Sequence, residues 1–589
     1  MPTSLCHSLH PDDILIKGDL YTRARANFDR LEQQDYRSAQ LFQPLDHDWP
    51  GDTEGRTLLA LVLLARWAHL ELHTLGDLLH ELPARMNSEG CFGPPQKPGQ
   101  VDEQQLSGHT WILRFLVEHY RWKQLPETRA MIERIVDTLV IPASAHFVTY
   151  PSAASSRARS DSDNLTGVRT ETIGAWTLSS DIGAAFAILD GATQAYELLG
   201  QPSRLKSALD LIVAAYTAID PVALGASTHA MLTALRGLVR FHALHASPVL
   251  LSHVQHTYAT YMATARTENY AAHARFGHPI ATDPCAIVDS FVLAIDLWRC
   301  TFDPAYLDDA HHIYYNAFLP SQRPSGGFGR DSCTGYPTTQ LHLTPLEDPY
   351  YESVRCCTPR GGEGLAAAAA SVYHVDPQAD TVFVNLYQCS TATLRFADGH
   401  LVIRQTTTYP VDGWIRLDLL DSTVKTPKTF QLFLPEWASP ADLPTSTVHG
   451  RFVEAVFSTN HTILVRFDIP WHRVAVLGSD PPVPLATPVR IDTRVATSRG
   501  TSPVPPAPSP CTLRHGPLLL GASRAAAERG KPGVELVKLT AEARLVPLGQ
   551  ASYLIDKTMI GLSPLVDLVR PLDTLERGNR KQVVFPGDD

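Results

Sequence analysis

Near His374 the apolar residues of this chain change their spacing, and that change constrains the fold more than any other feature. Before it, apolar side chains recur at helical spacing through 53–72, 103–122, 128–140, 173–199, 203–219, 227–244, 249–267, 281–299, 304–318 and 361–373. Several of these segments are joined by connections as short as Gly200-Gln201-Pro202 and Phe302-Asp303-Pro304. About ten to twelve helices linked as hairpins predict a toroid of helix pairs. After His374 the period falls to two, in short runs at 380–387, 393–396, 400–406, 415–419, 430–434 and 462–467. Turns rich in Asp, Gly and Pro separate these runs, the pattern of a β-sandwich. The Pro/Ser-rich stretch 501–510 reads as an exposed loop or linker. Strand-like residues resume at 517–520, and 534–539 adds a further candidate. The expected organisation is therefore a multidomain chain, α then β. A helical, catalytic unit spans 1–374, a β-sandwich spans 375–545, and a C-terminal segment of unassigned structure spans 546–589.

The bulk numbers narrow the function. Of 589 residues, 44% are hydrophobic and 19% charged, which excludes a disordered chain. A net charge of -11, with no basic run, argues against nucleic acid or anionic membrane as a partner. No apolar stretch reaches the ~18 residues that a membrane span needs. The first residues show no basic segment followed by an apolar run, so the expected location is cytoplasmic. The nine cysteines are odd in number and scattered, which favours reduced thiols over disulfides. The expected partners are a small-molecule or sugar substrate and, at most, a second copy of the chain in a homodimer.

Two patterns carry chemistry. One is Asp283-Pro284-Cys285, the other the adjacent pair Cys356 and Cys357. Three thiols and a carboxylate make a four-donor set of the kind zinc takes. A thiol held by zinc loses its proton near neutral pH and becomes a nucleophile. The competing reading is a set of buried, inert thiols. Cys6, Cys91, Cys300, Cys333, Cys389 and Cys511 lie in no motif and read as packing residues.

A longer series of short motifs resembles glycoside hydrolase family 127, the β-L-arabinofuranosidase type, and its relatives. In order along the chain these are Trp49-Pro50-Gly51-Asp52-Thr53-Glu54-Gly55-Arg56, Ser107-Gly108-His109, Thr228-His229-Ala230, Asp283-Pro284-Cys285-Ala286 and Tyr315-Asn316-Ala317-Phe318-Leu319. Cys356-Cys357-Thr358-Pro359, Val384-Asn385-Leu386-Tyr387, Tyr409-Pro410-Val411-Asp412-Gly413, Leu434-Pro435-Glu436-Trp437 and Gly516-Pro517-Leu518 complete the series. The resemblance implies a six-hairpin (α/α)6 barrel followed by β-sandwich structure. It also implies zinc as cofactor, held by Asp283, Cys285, Cys356 and Cys357. Here the chain departs from the family, which has Glu where Asp283 stands.

By the same resemblance Cys356 is the nucleophile of a retaining glycosidase acting on a terminal arabinofuranoside or similar sugar. Glu268 is the nearest candidate for the acid and base, with Glu352 as a second. His109, His229, His273, Trp49 and Arg56 are the expected substrate-binding residues. Arg56 has a simpler alternative, an i, i+4 ion pair with Asp52. Two other functions stay open at this point. One is a non-hydrolytic cyclase, lyase or isomerase of small-molecule or natural-product metabolism in the same barrel pocket. The other is a carbohydrate-binding relative without catalysis.

Overall fold

A computed structural model describes residues 6–43, 49–153, 167–333, 342–345, 352–376, 378–442, 447–457, 461–475, 511–523, 545–549, 552–555, 561–565 and 581–582. The expected linker at 501–510 and most of 546–589 lie outside the described residues. Among the described residues no helix is long and apolar enough to cross a membrane.

The helical half closes into a ring. Helices Asp52–Trp67, Glu103–Lys123, Ile188–Leu198, Thr228–His245, Pro284–Thr301 and Cys357–Ala370 each pack against the next, and the last packs back on the first. These six form the inner wall of an (α/α)6 barrel. They alternate in sequence with outer helices that include Pro126–Ile135, Ser203–Thr217, Pro248–Thr264 and Ala305–Ile313. The inner helices are buried almost all round: in Asp52–Trp67 every residue but Thr53 is buried. That is why the sequence shows long apolar runs there and not narrow stripes. Glycines permit the closest approaches. A Cβ on Gly55 would lie 2.5 Å from the Ile112 backbone nitrogen, and one on Gly108 would lie 2.1 Å from the Pro50 carbonyl.

One expected helix is different. Residues 173–199 are not a single helix: strands Arg169–Ile173 and Trp176–Ser179 come first, and the α-helix begins only at Ile188. The β-branched and aromatic residues Thr170, Thr172, Ile173 and Trp176 favour strand, and Gly174 takes a left-handed turn conformation between them (φ 58°). Helices Gly18–Leu31 and Leu75–Arg85 were not anticipated.

The β half contains two six-stranded sheets built mainly from Tyr373–Asp376 to Thr462–Asp468. Each sheet also takes one strand from the N-terminus. His7–Ser8 pairs with Tyr373–Asp376, and Ile14–Ile16 pairs with Ser390–Phe396. Inward positions alternate as strand spacing requires, as at Val382 and Val384, Phe430 and Leu432, and Ile415 and Leu417. A third sheet is formed by strands from Trp471 onward, and it incorporates Asp331–Cys333 and His342–Pro345 from the segment just before Cys356.

Candidate active site and metal centre

The residues that carry chemistry gather where the inner helices begin. Cys356 is the N-cap of helix Cys357–Ala370, and Cys357 is its first residue. Cys285 stands in the first turn of Pro284–Thr301, Arg56 one turn into Asp52–Trp67, and His229 in the first turn of Thr228–His245. Unpaired backbone N–H groups and the helix dipole favour negative charge at such ends. Three thiols are brought to two helix N-termini, where a thiolate is favoured.

The sulfurs of Cys285, Cys356 and Cys357 lie within 4.8 Å of one another, and Cys285 Sγ is 3.0 Å from Cys356 Sγ. Hydrogen bonds from Cys285 and Cys357 hold the Cys356 thiol well below the usual thiol range, with help from Arg56 and His229 and against burial. The proton cost falls on the neighbours. Burial and donation to Cys356 push Cys285 well up. At Cys357 the hydrogen bond from Cys285 lowers the thiol, but donation to Cys356 and burial outweigh it, so it too is raised. The three sulfurs thus favour negative charge on Cys356 over its two neighbours.

This donor set fits zinc, which prefers soft sulfur ligands in a compact cluster. The fourth expected ligand is placed otherwise. Asp283 is the N-cap of the helix that carries Cys285, and its Oδ1 accepts from the Cys285 N–H at 2.9 Å. Its carboxylate does not join the three sulfurs in one cluster, although its charge reaches Cys357. Being one methylene shorter than the family's Glu, Asp283 favours the local cap, a role that short carboxylates fill well.

Arg56 sits against the sulfurs. Its Nη1 donates to Cys285 Sγ at 3.2 Å and lies 3.7 Å from Cys356 Sγ. Its Nη2 donates to Asp52 Oδ2 at 2.8 Å and to His229 Nε2 at 3.1 Å, and its Nε is 2.6 Å from Asp52 Oδ1. The guanidinium also lies over the Trp111 ring, 4.4 Å from its centroid. So both the expected ion pair with Asp52 and a place at the site are present, but the contacts are with protein groups.

His229 is oriented by Asp289, whose Oδ2 is 2.7 Å from His229 Nδ1. Nδ1 therefore carries the proton, and Nε2 accepts from Arg56. Asp289 is fully buried. Burial alone would raise its carboxyl, but Arg360, His229 and Arg236 hold it well below the carboxylate range. Arg236 Nη1 donates to Asp289 Oδ1 at 2.6 Å, and Arg360 pairs with both Asp289 and Glu363. Arg114 and Arg240 extend this network to Asp190.

Other expected site residues fall in different places. His109 is fully buried. Its Nδ1 donates to the Gln105 carbonyl at 2.7 Å and its Nε2 accepts from the Phe92 N–H at 2.9 Å. Both nitrogens are spent on backbone, so His109 is a strut and not a sugar ligand. The Glu352 carboxylate is taken by Arg30 Nε at 2.5 Å and Ser325 Oγ at 2.6 Å, which ties it to helix Gly18–Leu31 and not to Cys356. Glu268 is buried in a tight turn that the Arg266–Ala272 bridge closes, and its charge reaches Arg266. Burial lowers His273 to about 4. Trp49 is half-buried and donates through Nε1 to the Gly167 carbonyl at 2.9 Å.

Asp181 was missed in the sequence. Burial pushes its carboxyl up to about 7 against the opposing charge of Arg275, and Asp283, His229 and Cys356 lie within electrostatic reach. Its Oδ2 would be 2.8 Å from a Cβ on Gly167, whose other neighbour is the Trp49 ring. The loop is pinned by the buried carboxylate of Glu103, which accepts from the N–H groups of Ser179 at 2.8 Å and Gly183 at 3.2 Å. No motif flags Asp181, and reading 173–199 as one helix hid the loop that carries it.

The family description "Beta-L-arabinofuranosidase, GH127 middle domain" matches residues 381–472. Those residues, about a sixth of the chain, are similar to that domain. Curated protein sequences give no match. Among solved structures, a GH127 beta-arabinofuranosidase superimposes with TM-score 0.67 at 12% identity, covering 99% of this chain and 98% of the other. A structure described as a glycoside hydrolase gives 0.67 at 14% identity, covering 100% and 98%. A GH127 beta-L-arabinofuranosidase from Geobacillus stearothermophilus T6 gives 0.62 at 12% identity, covering 98% and 100%. The whole chain therefore has the fold of these glycosidases, and the expected barrel followed by β-sandwich is the architecture found.

Proposed function

We propose that this protein is a retaining glycoside hydrolase acting on a terminal β-L-arabinofuranoside or a closely similar sugar. The observation that carries the reading is the convergence of Cys285, Cys356 and Cys357 at the N-terminal ends of the inner helices, beside Arg56 and His229, in a chain with the GH127 fold. A fold alone does not fix chemistry, but a cluster of thiols held at helix N-termini is a nucleophile site in its own right.

Zinc held by Cys285, Cys356 and Cys357, with Asp283 adjacent, would supply the positive charge that keeps the sulfurs ionised at neutral pH. The remaining steps belong to the side chains. The Cys356 sulfur attacks the anomeric carbon as the bond to the leaving oxygen breaks, and a protonated carboxyl donates its proton to that oxygen. The resulting carboxylate then takes a proton from water. The water oxygen attacks the anomeric carbon, and the bond to sulfur breaks. Two inversions give net retention. Glu268 fills the carboxyl role by resemblance. Asp181 fills it by environment, since its raised carboxyl lies within electrostatic reach of Cys356.

Aryl glycosides test the reading. Zinc-loaded protein is expected to release arabinose from 4-nitrophenyl β-L-arabinofuranoside. A folded, zinc-loaded protein that cleaves no aryl glycoside overturns it and leaves the non-hydrolytic reading. E268Q and D181N separate the two carboxyls. Loss of the proton donor hurts poor leaving groups far more than 4-nitrophenolate, which needs little protonation.

A further inference from the structure

Arg56 is the one cation in hydrogen-bond contact with the cysteine sulfurs among the described residues, and nearly every part of it is committed to protein. Asp52 pairs with it through two nitrogens, His229 accepts from Nη2, and Trp111 lies against its face. Behind His229, Asp289 is itself fixed by Arg236, Arg360 and Thr233. The guanidinium is thus held in one pose from several directions, and the remaining nitrogen, Nη1, points at Cys285 Sγ and Cys356 Sγ. A side chain so fully engaged has little left with which to bind a sugar.

We propose that Arg56 is a positioning residue of the cysteine centre: its N–H groups hold the Cys285 and Cys356 sulfurs, and its charge offsets the negative charge that three thiolates keep even around a divalent metal. Two effects follow from elementary electrostatics. N–H···S donation draws electron density from sulfur, which fixes the lone-pair direction of Cys356. A buried cation beside an anionic metal–sulfur cluster raises metal affinity, as partners of metal ligands commonly do. The proposal rests on the reading of the three cysteines as a metal centre. It does not depend on the chain cleaving a glycoside.

The test uses the full chain as R56M and R56K, each loaded with zinc and, separately, with cobalt(II). R56M removes the charge and the donors at similar volume, and R56K keeps the charge alone. Zinc affinity, measured by chelator competition, is expected to fall about 10–100-fold in R56M and to recover partly in R56K. The sulfur-to-cobalt charge-transfer band is expected to move to longer wavelength in R56M, with R56K in between. A folded R56M that binds zinc as tightly as wild type with an unmoved band overturns the proposal, as does a wild type that takes up no metal. If R56M does not fold, the R56K band decides: displaced supports the proposal, unmoved overturns it. A role limited to packing or to sugar binding would leave the band where it is. Wild-type protein that binds zinc but cleaves no arabinofuranoside would overturn the proposed function while the band still decides the role of Arg56.

Discussion

The centre of the barrel and the centre of the β-sandwich solve opposite problems. The sandwich buries Val382, Val384, Ile403, Ile415, Leu417, Phe430, Leu432 and Val465, an apolar core with alternating registers. The barrel buries Arg56, Arg114, Arg236 and Arg360 against Asp52, Asp190, Asp289 and Glu363, a network that reaches the thiols through Arg56. Burying paired charge is commonly no more stabilising than apolar packing of the same volume, and often less. A barrel built only to be stable has no need of it. What the network does provide is a rigid electrostatic frame: Asp289 sets His229, His229 and Asp52 set Arg56, and Arg56 meets the sulfurs. Both regions are closely packed, but the barrel adds to its apolar packing a charged frame that preorganises chemistry.

The sharpest way to break that contrast is at Cys356. C356A is expected to lower turnover of an aryl arabinofuranoside by at least about 1,000-fold, because it removes the sulfur proposed to form the bond to carbon. Its thermal unfolding in the metal-free state should move little. Equal loss of activity and fold would erase the distinction between the two regions. Next in size is the frame. D289A strands Arg236, Arg360 and His229 without their shared carboxylate, and it should cost about 3–5 kcal/mol in denaturant unfolding. The folded fraction should also be less active. L432A in the sandwich should cost a comparable 2–5 kcal/mol, roughly as cavity formation predicts, yet leave turnover per folded molecule unchanged. A fall in turnover per folded molecule for L432A would show that the sandwich shapes the site.

Acid gives the smallest and most graded effect. Burial lowers His109, His273 and His311 to about 4 from an ordinary value near 6.5. A histidine depressed in the folded state binds its proton more readily when unfolded. Its contribution is therefore complete above about pH 6.5 and is lost as pH falls towards and through 4. For His109 the physical conflict is plain, since a proton on Nε2 would face the Phe92 N–H. Melting followed between pH 7 and 4 should show a steep loss of stability in wild type and a shallower one in H109Q. Parallel curves would remove His109 from the explanation.

The parts of this protein that were legible in the sequence are those set by periodicity. The inner helices and the sandwich strands could be read because each presents a regular apolar pattern over enough residues to stand out. The strands and turn at 169–187 could not, because buried small residues such as Ala184, Ala185 and Ala187 fit either period. The three cysteines were legible as chemistry and do converge. Asp283 was legible only by resemblance, and its cap on the helix that carries Cys285 shows in its geometry alone. Several motifs that carried the resemblance turn out to be joints. Asn316 accepts from the Leu519 N–H and donates to the Pro517 carbonyl, while the Asn385 carbonyl meets His311. Such residues fix how the barrel meets the β-sheets, which is why they look like signatures without touching the site. Asp181 and the role of Arg56 depend on side chains distant in sequence, and no local pattern contains that information.

The most direct test of Cys356 as nucleophile is to quench zinc-loaded protein with acid during turnover of an aryl β-L-arabinofuranoside and weigh its peptides. The expected result is one arabinosyl unit on the peptide that contains Cys356, absent in C356A. Turnover by the wild type with no sugar on any cysteine peptide, or turnover retained in C356A, would contradict it.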